Sequence, residues 1–302
     1  MGSMFPGISG GVFSVFLLLY YRGLYRIRIT CSSAPPPWSV LCVTCGVLLA
    51  LVFWVTPLAH LDHWSLTGHM VQHLLLMTVS APLILFAEPM LILRQGVPQW
   101  AAGFLGKPRR QRSLDSGEQS SIWLVSCWMA GTVTVIWWHI PSVFAFSVHS
   151  PVGHEIEKTT FFLGGLCFWW PVLRQWGDRE QSPHWSIVFY LFLATLPCDV
   201  LSAFLTFCGR IAYAFYASGP ESMQSAALRD QERAGALMWT WVTFACLIPA
   251  VLIATSKLSG SSALDSHGRH QSPRSSRTKG PGKSTTPVPQ QMRGLRTSRD
   301  VT

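Results

Sequence analysis

Hydrophobic segments long enough to cross a membrane recur along this chain. They run approximately over Met4 to Tyr21, Trp38 to Leu58, Gly68 to Ala87, Ile122 to Ile140, Thr159 to Leu173, Trp185 to Phe207 and Gly235 to Thr255. A helix needs about 20 mostly apolar residues to cross the hydrocarbon core of a bilayer. The first and fifth segments are short, and the fifth reaches full length from Val152 only if Glu155 and Glu157 face a protein interior. The pattern predicts an all-α integral membrane bundle of about seven transmembrane helices.

The loops between these segments alternate in charge. Basic residues follow the first, third and fifth segments: Arg22, Arg26 and Arg28, then Arg94, Lys107, Arg109, Arg110 and Arg112, then Arg174 and Arg179. No Lys or Arg precedes the first segment or separates the second from the third. Since short cytoplasmic loops hold the excess of Lys and Arg, we expect the N-terminus outside and the C-terminus in the cytoplasm. We interpret the first segment as a retained span, because its positive charge follows the apolar run and no small-residue cleavage site does.

Most of the formal net charge of +9 belongs to the C-terminal end of the chain. Residues 258–302 hold eight Lys or Arg against Asp265 and Asp300, in a setting rich in Ser, Thr, Gly and Pro. Such a segment buries too little apolar surface to become ordered. We therefore predict a membrane domain over residues 1–257 and a disordered, basic cytoplasmic tail over 258–302. Attraction to anionic lipid headgroups is an alternative role for the tail, and nothing beyond charge suggests a nucleic-acid partner.

Histidines gather at segment ends that the charge pattern places outside. Seven of the ten histidines lie there: His60, His63, His69, His73, His139, His149 and His154. His69 and His73 are four positions apart at the start of the third segment, so they share one helix face and can reach a common ion. Their spacing matches the H-E-x-x-H motif of zinc peptidases, but Met70 stands where the glutamate base would be. A peptidase is therefore not expected, and neither is another enzyme.

Two further segments bring histidines to the same predicted surface. His139 ends the fourth segment beside Pro141, and His154 lies three positions before Glu157 at the start of the fifth. Glu157 can orient that histidine, as carboxylates orient metal-binding imidazoles. We predict a metal site formed by His69, His73, His139 and His154, with His60, His63, Met70 and Glu157 as weaker candidates.

The ligand types favour copper. The eight cysteines lie mostly inside the hydrophobic segments, where we interpret them as small buried hydrophobes. An outer site must then use imidazole, carboxylate and the thioethers of Met70, Met223 and Met238. This combination suits copper better than structural zinc. A b-type haem held between two histidines stays open as an alternative, because the sequence does not separate the two.

Several motifs occur in a fixed order along the chain. They are Tyr21-Arg-Gly-Leu, His69-Met-Val-Gln-His-Leu-Leu-Leu-Met, Trp138-His-Ile-Pro, His154 to Glu157 before Phe168-Trp-Trp-Pro, and Asp230-Gln-Glu-Arg-Ala-Gly before Met238-Trp239. From about Val12 to Thr255 the chain resembles the multi-spanning CtaG family of cytochrome c oxidase assembly factors. The resemblance implies a multi-pass protein of the bacterial plasma membrane that is needed to make active terminal oxidase. It implies that the protein acts by helping the oxidase to acquire its copper. It implies terminal oxidase subunits as partners and leaves the copper donor open.

Three residues depart from the family pattern. Lys158 stands where such proteins usually carry a second histidine after the glutamate, and Glu88 and Asp199 match no motif. An intramembrane carboxylate is a functional candidate, although we expect Asp199 to be protonated and hydrogen-bonded. The expected function is copper delivery at the outer membrane face. The alternatives are a haem or quinone oxidoreductase that uses the same histidines and a scaffold that holds oxidase subunits without metal.

Overall fold

The computed structural model describes residues 5–30, 35–55, 65–98, 117–177, 185–217 and 221–269. Regular structure within these ranges is entirely helical, with no strand among them. The all-α prediction is therefore confirmed. The loop that holds His60 and His63 lies outside the described residues.

The described residues form nine helices, which we number in chain order. They are α1 (Phe5–Thr30), α2 (Pro37–Val55), α3 (Leu66–Phe86), α4 (Pro89–Gly96), α5 (Gly117–Trp138), α6 (Pro141–His149), α7 (Pro151–Gly177), α8 (Trp185–Phe207) and α9 (Glu221–Arg269), with a short 3₁₀ turn at Ala214–Ala217. Helix α3 changes character in its middle, because Leu76–Ser80 form a π turn between two α-helical parts. The N–H of Ala81 accordingly donates to the carbonyl of Leu76, five residues back.

Five of the described helices are long and apolar enough to cross a membrane. These stretches are Pro37–Val55, Leu66–Phe86, Ser121–Trp138, Trp185–Phe207 and Met223–Thr255. They coincide with the second, third, fourth, sixth and seventh predicted segments. The first and fifth segments lie on α1 and α7, helices of 26 and 27 residues, but neither is among the five. The count of seven spans and the orientation of the termini stay predictions.

Helix α7 occupies a central position in the bundle, where it packs against α3, α5 and α6. It meets α3 at the π turn, where a Cβ atom on Gly165 would lie 2.7 Å from the carbonyl oxygen of Met77. No side chain fits at that distance, so glycine allows the two backbones to touch. This contact fixes how far α7 is shifted along α3, the helix that carries His69 and His73.

Helix α1 packs against α4 through a second close backbone contact. A Cβ atom on Gly23 would lie 2.0 Å from the carbonyl oxygen of Ile92, and one on Gly96 would lie 1.8 Å from that of Leu19. Small residues allow such close approach between helices in membranes. The N-terminal helix is therefore held by a crossing that depends on two glycines.

The chain divides into two compact units, Met1–Leu258 and Ser259–Thr302. The first unit is the helical bundle. Of the second unit, the structure describes only the end of α9, which continues to Arg269. The remainder of the predicted basic tail lies outside the described residues.

Candidate metal centre

The start of α3 is tied to α9. The Ser65 side chain caps the helix by accepting from the backbone N–H of Gly68 at 3.0 Å. The Asp230 carboxylate of α9 accepts from the Leu66 N–H and from the Thr67 hydroxyl, both at 2.6 Å. A negative charge at a helix N-terminus also complements the positive end of the helix dipole. These bonds fix the first turn of α3, and His69 follows directly on it.

Three buried side chains meet at one point between α3 and α7. The Nε2 atoms of His69 and His73 are 3.0 Å apart. The Glu157 Oε1 atom is 3.1 Å from the His69 Nε2 and 3.3 Å from the His73 Nε2. The three side chains are at most 4% exposed. We call this arrangement the His–His–Glu triangle.

Neighbouring side chains hold the triangle in place. The Ser147 hydroxyl of α6 donates to the second Glu157 oxygen, Oε2, and the His154 Nδ1 lies 3.7 Å from the same atom. The Phe161 ring stacks on His73 with the ring centroids 4.2 Å apart. The Phe144 ring lies edge-on to His69 with the ring centroids 5.0 Å apart. Each corner of the triangle thus contacts further side chains, and its geometry is set by packing as well as by mutual contact.

The triangle has the dimensions of a metal site. An ion bound tetrahedrally at roughly 2.0 to 2.1 Å from nitrogen or oxygen donors would hold those donors about 3.3 Å apart. The observed edges of 3.0, 3.1 and 3.3 Å are close to that value. Two imidazoles and one carboxylate within 4.8 Å of one another can therefore hold a metal ion.

Lys158, the residue that departs from the family pattern, faces helix α2. The Lys158 Nζ lies 2.7 Å from Glu155 Oε1 and 5.8 Å from the centre of the Trp54 ring on α2. The Trp54 indole N–H donates to the other Glu155 oxygen at 2.9 Å. Lys158 thus forms a buried ion pair with Glu155 and is not a corner of the triangle.

His139 lies on the wall of a cavity next to the triangle. Its Nδ1 atom lies 2.7 Å from the Val135 carbonyl oxygen, and the Tyr213 hydroxyl donates to the His139 carbonyl at 3.1 Å. Burial raises the pKa of the Tyr213 hydroxyl and the Glu157 charge raises it further, so this hydroxyl keeps its proton. The cavity has a volume of about 60 Å³, and His73 and Met70 line it too.

The structure sorts the predicted ligands into three groups. His69, His73 and Glu157 form the triangle, and His154 lies beside it. His139 and Met70 line the cavity. His60 and His63 lie outside the described residues. Glu157 thus has a more central place than the sequence gave reason to expect.

Several residues near the centre carried no sequence signal. Ser147 is an ordinary serine in an apolar stretch, and its bond to Glu157 depends on how α6 folds back against α7. Cys198 and Cys246, which the sequence indicates only as small buried hydrophobes, line the cavity together with Met77. By contrast, Glu88 is exposed in the turn between α3 and α4 and Asp199 is half-buried on α8, and neither belongs to the triangle or the cavity wall.

Comparison with known proteins gives one match. A family model described as cytochrome c oxidase caa3 assembly factor (Caa3_CtaG) matches residues 18–258. Searches of the curated proteins and of the solved structures returned no match. The matched residues include the whole His–His–Glu triangle and the cavity beside it.

Proposed function

The chain belongs to the cytochrome c oxidase caa3 assembly factor family, and from this membership we propose that it delivers copper to a terminal oxidase during assembly. Copper is the cargo, and the His–His–Glu triangle is the site that holds it. In this role the protein binds and releases a metal without catalysing a reaction. The receiving partners are the oxidase subunits.

The triangle is the observation that supports a metal cargo. Imidazole nitrogen and carboxylate oxygen are good donors for divalent first-row metals, whose affinity for such sites peaks at Cu(II). Three protein donors leave room in the coordination sphere for a ligand from a receiving protein. That arrangement suits transfer better than a closed four-ligand site, which is typical of structural zinc.

The charge pattern supports an outer location. The triangle lies near the start of α3 and of α7, the ends that the loop charges assign to the outside of a bacterial plasma membrane. We therefore propose that copper is received and handed over at that surface. The orientation is itself testable and is treated in the Discussion.

The spacing of the histidines favours a small ion over haem. His69 and His73 are one turn apart on a single helix, with their Nε2 atoms 3.0 Å apart, so no macrocycle fits between them. A visible absorbance spectrum of the purified protein checks this argument, since a Soret band would contradict it.

Copper binding by purified protein tests the site. We expect wild-type protein to bind Cu(II) with an affinity that falls in acid, because a ligating imidazole must be neutral. The double variant His69→Ala and His73→Ala should lose this binding and stay in the membrane. His149→Ala is the matched control, because His149 is exposed and forms no part of the triangle. Unchanged Cu(II) binding by the double variant would exclude the triangle as the Cu(II) site.

Deletion of the gene tests the role in assembly. A copper-delivery role predicts that oxidase subunits still reach the membrane, but that the isolated oxidase lacks copper and activity. The His69→Ala and His73→Ala variants should reproduce this defect. A scaffold without metal predicts unstable subunits in the deletion strain and little effect of the histidine variants. Full copper content in oxidase from the deletion strain would overturn the proposal.

A further inference from the structure

Sulfur-containing side chains converge on the cavity beside the triangle. Met70, Met77, Met238, Cys198 and Cys246 line it, together with the imidazole of His139. The five sulfur-containing side chains come from three helices, α3, α8 and α9, and His139 lies in the turn that follows α5. We call this space the sulfur cavity. The His–His–Glu triangle uses none of these side chains.

His139 is held in the state that a metal ligand requires. A carbonyl oxygen only accepts hydrogen bonds, so the 2.7 Å contact with the Val135 carbonyl places the proton of His139 on Nδ1. Nε2 then carries a lone pair, and this buried atom has no hydrogen-bond partner among the described residues. Metal-binding histidines are commonly oriented by such a bond from the other ring nitrogen to a carbonyl.

We propose that the sulfur cavity is a second metal site, which binds Cu(I) through His139 Nε2 and the thioethers of Met70 and Met238. Cys198 and Cys246 lie on the same wall as additional soft donors. The inference rests on the proposed function only in taking copper as the metal. None of the three proposed Cu(I) ligands is a corner of the triangle.

The lining selects the oxidation state. Thioether and thiol ligands are soft and select Cu(I), whereas imidazole and carboxylate suit divalent ions. A buried charge is costly in apolar surroundings, and the single charge of Cu(I) costs less than the double charge of Cu(II). The cavity volume of about 60 Å³ exceeds the roughly 10–15 Å³ that one water molecule needs. A single Cu(I) ion therefore fits in the cavity.

The two sites share a wall. The His73 side chain forms one corner of the triangle and also lines the sulfur cavity. Met70 lies between His69 and His73 in the sequence and faces the cavity as well. The two sites are therefore adjacent, with the His73 side chain between them.

X-ray absorption of the full-length protein, loaded anaerobically with Cu(I) in detergent, tests the inference. Wild-type protein should show copper–sulfur scattering. The double variant Met70→Leu and Met238→Leu should lose it, and competition with a Cu(I) chelator should show an affinity about tenfold lower or more. Leucine has a similar volume to methionine, so packing is preserved. Met129→Leu, an exposed methionine on α5, is the control and should change nothing.

A second pair of variants addresses the histidine. His139→Phe should remove nitrogen scattering from the Cu(I) site. His149→Phe is its match, because His149 makes the same bond from Nδ1 to a carbonyl four residues back, at 2.7 Å, but is exposed. Cu(I) scattering from nitrogen and oxygen alone in wild-type protein would overturn the inference, as would unchanged affinity in both cavity variants.

The two proposals fail separately. His69→Ala and Glu157→Gln alter the triangle and leave the cavity lining intact, since neither residue lines the cavity. If these variants keep wild-type Cu(II) binding, the triangle proposal is wrong and the sulfur cavity still stands on its own scattering. If they lose Cu(II) binding and Cu(I) shows no sulfur neighbours, the triangle stands and the cavity proposal is wrong.

Discussion

At the scale of single residues, two glutamates on α7 contact different helices although they are only two positions apart. Glu157 turns toward α3, where it meets His69 and His73. Glu155 turns toward α2, where it accepts from the Trp54 indole and pairs with Lys158. Both carboxylates are shielded, yet only one lies at the candidate metal centre. The pair therefore allows metal binding and helix packing to be measured separately.

Glu157→Gln should lower copper affinity, whereas Glu155→Gln should lower stability. The first change removes a charged donor from the triangle, and we expect copper affinity to fall roughly 10- to 100-fold with little loss of stability. The second leaves the buried Lys158 without its carboxylate, and we expect a loss of roughly 1–3 kcal/mol in the free energy of unfolding. Copper titration and unfolding in detergent, applied to both variants, measure these effects. Equal loss of copper by the two variants would deny Glu157 a special role.

At the scale of the helices, the position of the triangle depends on how α3 begins. Asp230 reaches the first turn of α3 from α9, which is more than 160 residues away in sequence. The bond therefore orders two distant parts of the chain relative to each other. Its loss should affect the histidines indirectly, because His69 lies within one turn of the bonded residues.

Asp230→Asn tests this tie. The amide keeps the size of the side chain but loses its charge, so we expect about 1 kcal/mol less stability and a smaller loss of copper affinity than Glu157→Gln causes. Glu232→Gln, two residues further along α9, is the control and should change neither quantity. If Asp230→Asn has wild-type stability, the Ser65 cap alone is enough to hold the first turn of α3.

Gly23→Ala should loosen the packing of α1. The added methyl group would lie 2.0 Å from the Ile92 carbonyl oxygen, a backbone atom that cannot rotate away. We expect the helices to separate at a cost of roughly 1–3 kcal/mol, measured by thermal unfolding in detergent. Gly11→Ala on the same helix is the matched control, because a Cβ atom there meets nothing within 4 Å. It should be neutral or slightly stabilising, since alanine favours helix over glycine. Equal stability of the two variants would show that the close contact between α1 and α4 at Gly23 does not contribute to stability.

At the scale of the whole molecule, the orientation in the membrane decides which compartment the triangle serves. Reporter fusions after Leu61, His149 and Met223 should report the outside, and fusions after Pro108, Gly177 and Gly268 should report the cytoplasm. The expectation follows from the Lys and Arg asymmetry of the loops. A cytoplasmic signal from the Leu61 fusion would invert the chain and place the histidines on the wrong side for the proposed delivery.

The sequence predicted the helices better than their mutual contacts. Apolar length alone identified the helical segments, and the four-residue spacing of His69 and His73 identified two corners of the triangle. Glu157, a weaker candidate in the sequence, lies in the triangle, and His139, one of the four main candidates, lies on the wall of the cavity beside it. Hydrophobicity gives the depth of a residue along its helix, but not which neighbouring helix its side chain faces. That choice depends on backbone contacts such as that of Gly165 with Met77.

The π turn in α3 has a consequence for how related chains align. A turn closed by a bond five residues back holds one residue more than the α-helix that would otherwise connect the same two ends. A single deletion within Leu76–Ser80 would convert the segment to continuous α-helix and leave both flanks facing their present partners. The same deletion elsewhere in α3 would rotate all that follows by about 100°. Family members without the turn should therefore align with this chain through a one-residue gap confined to those five positions.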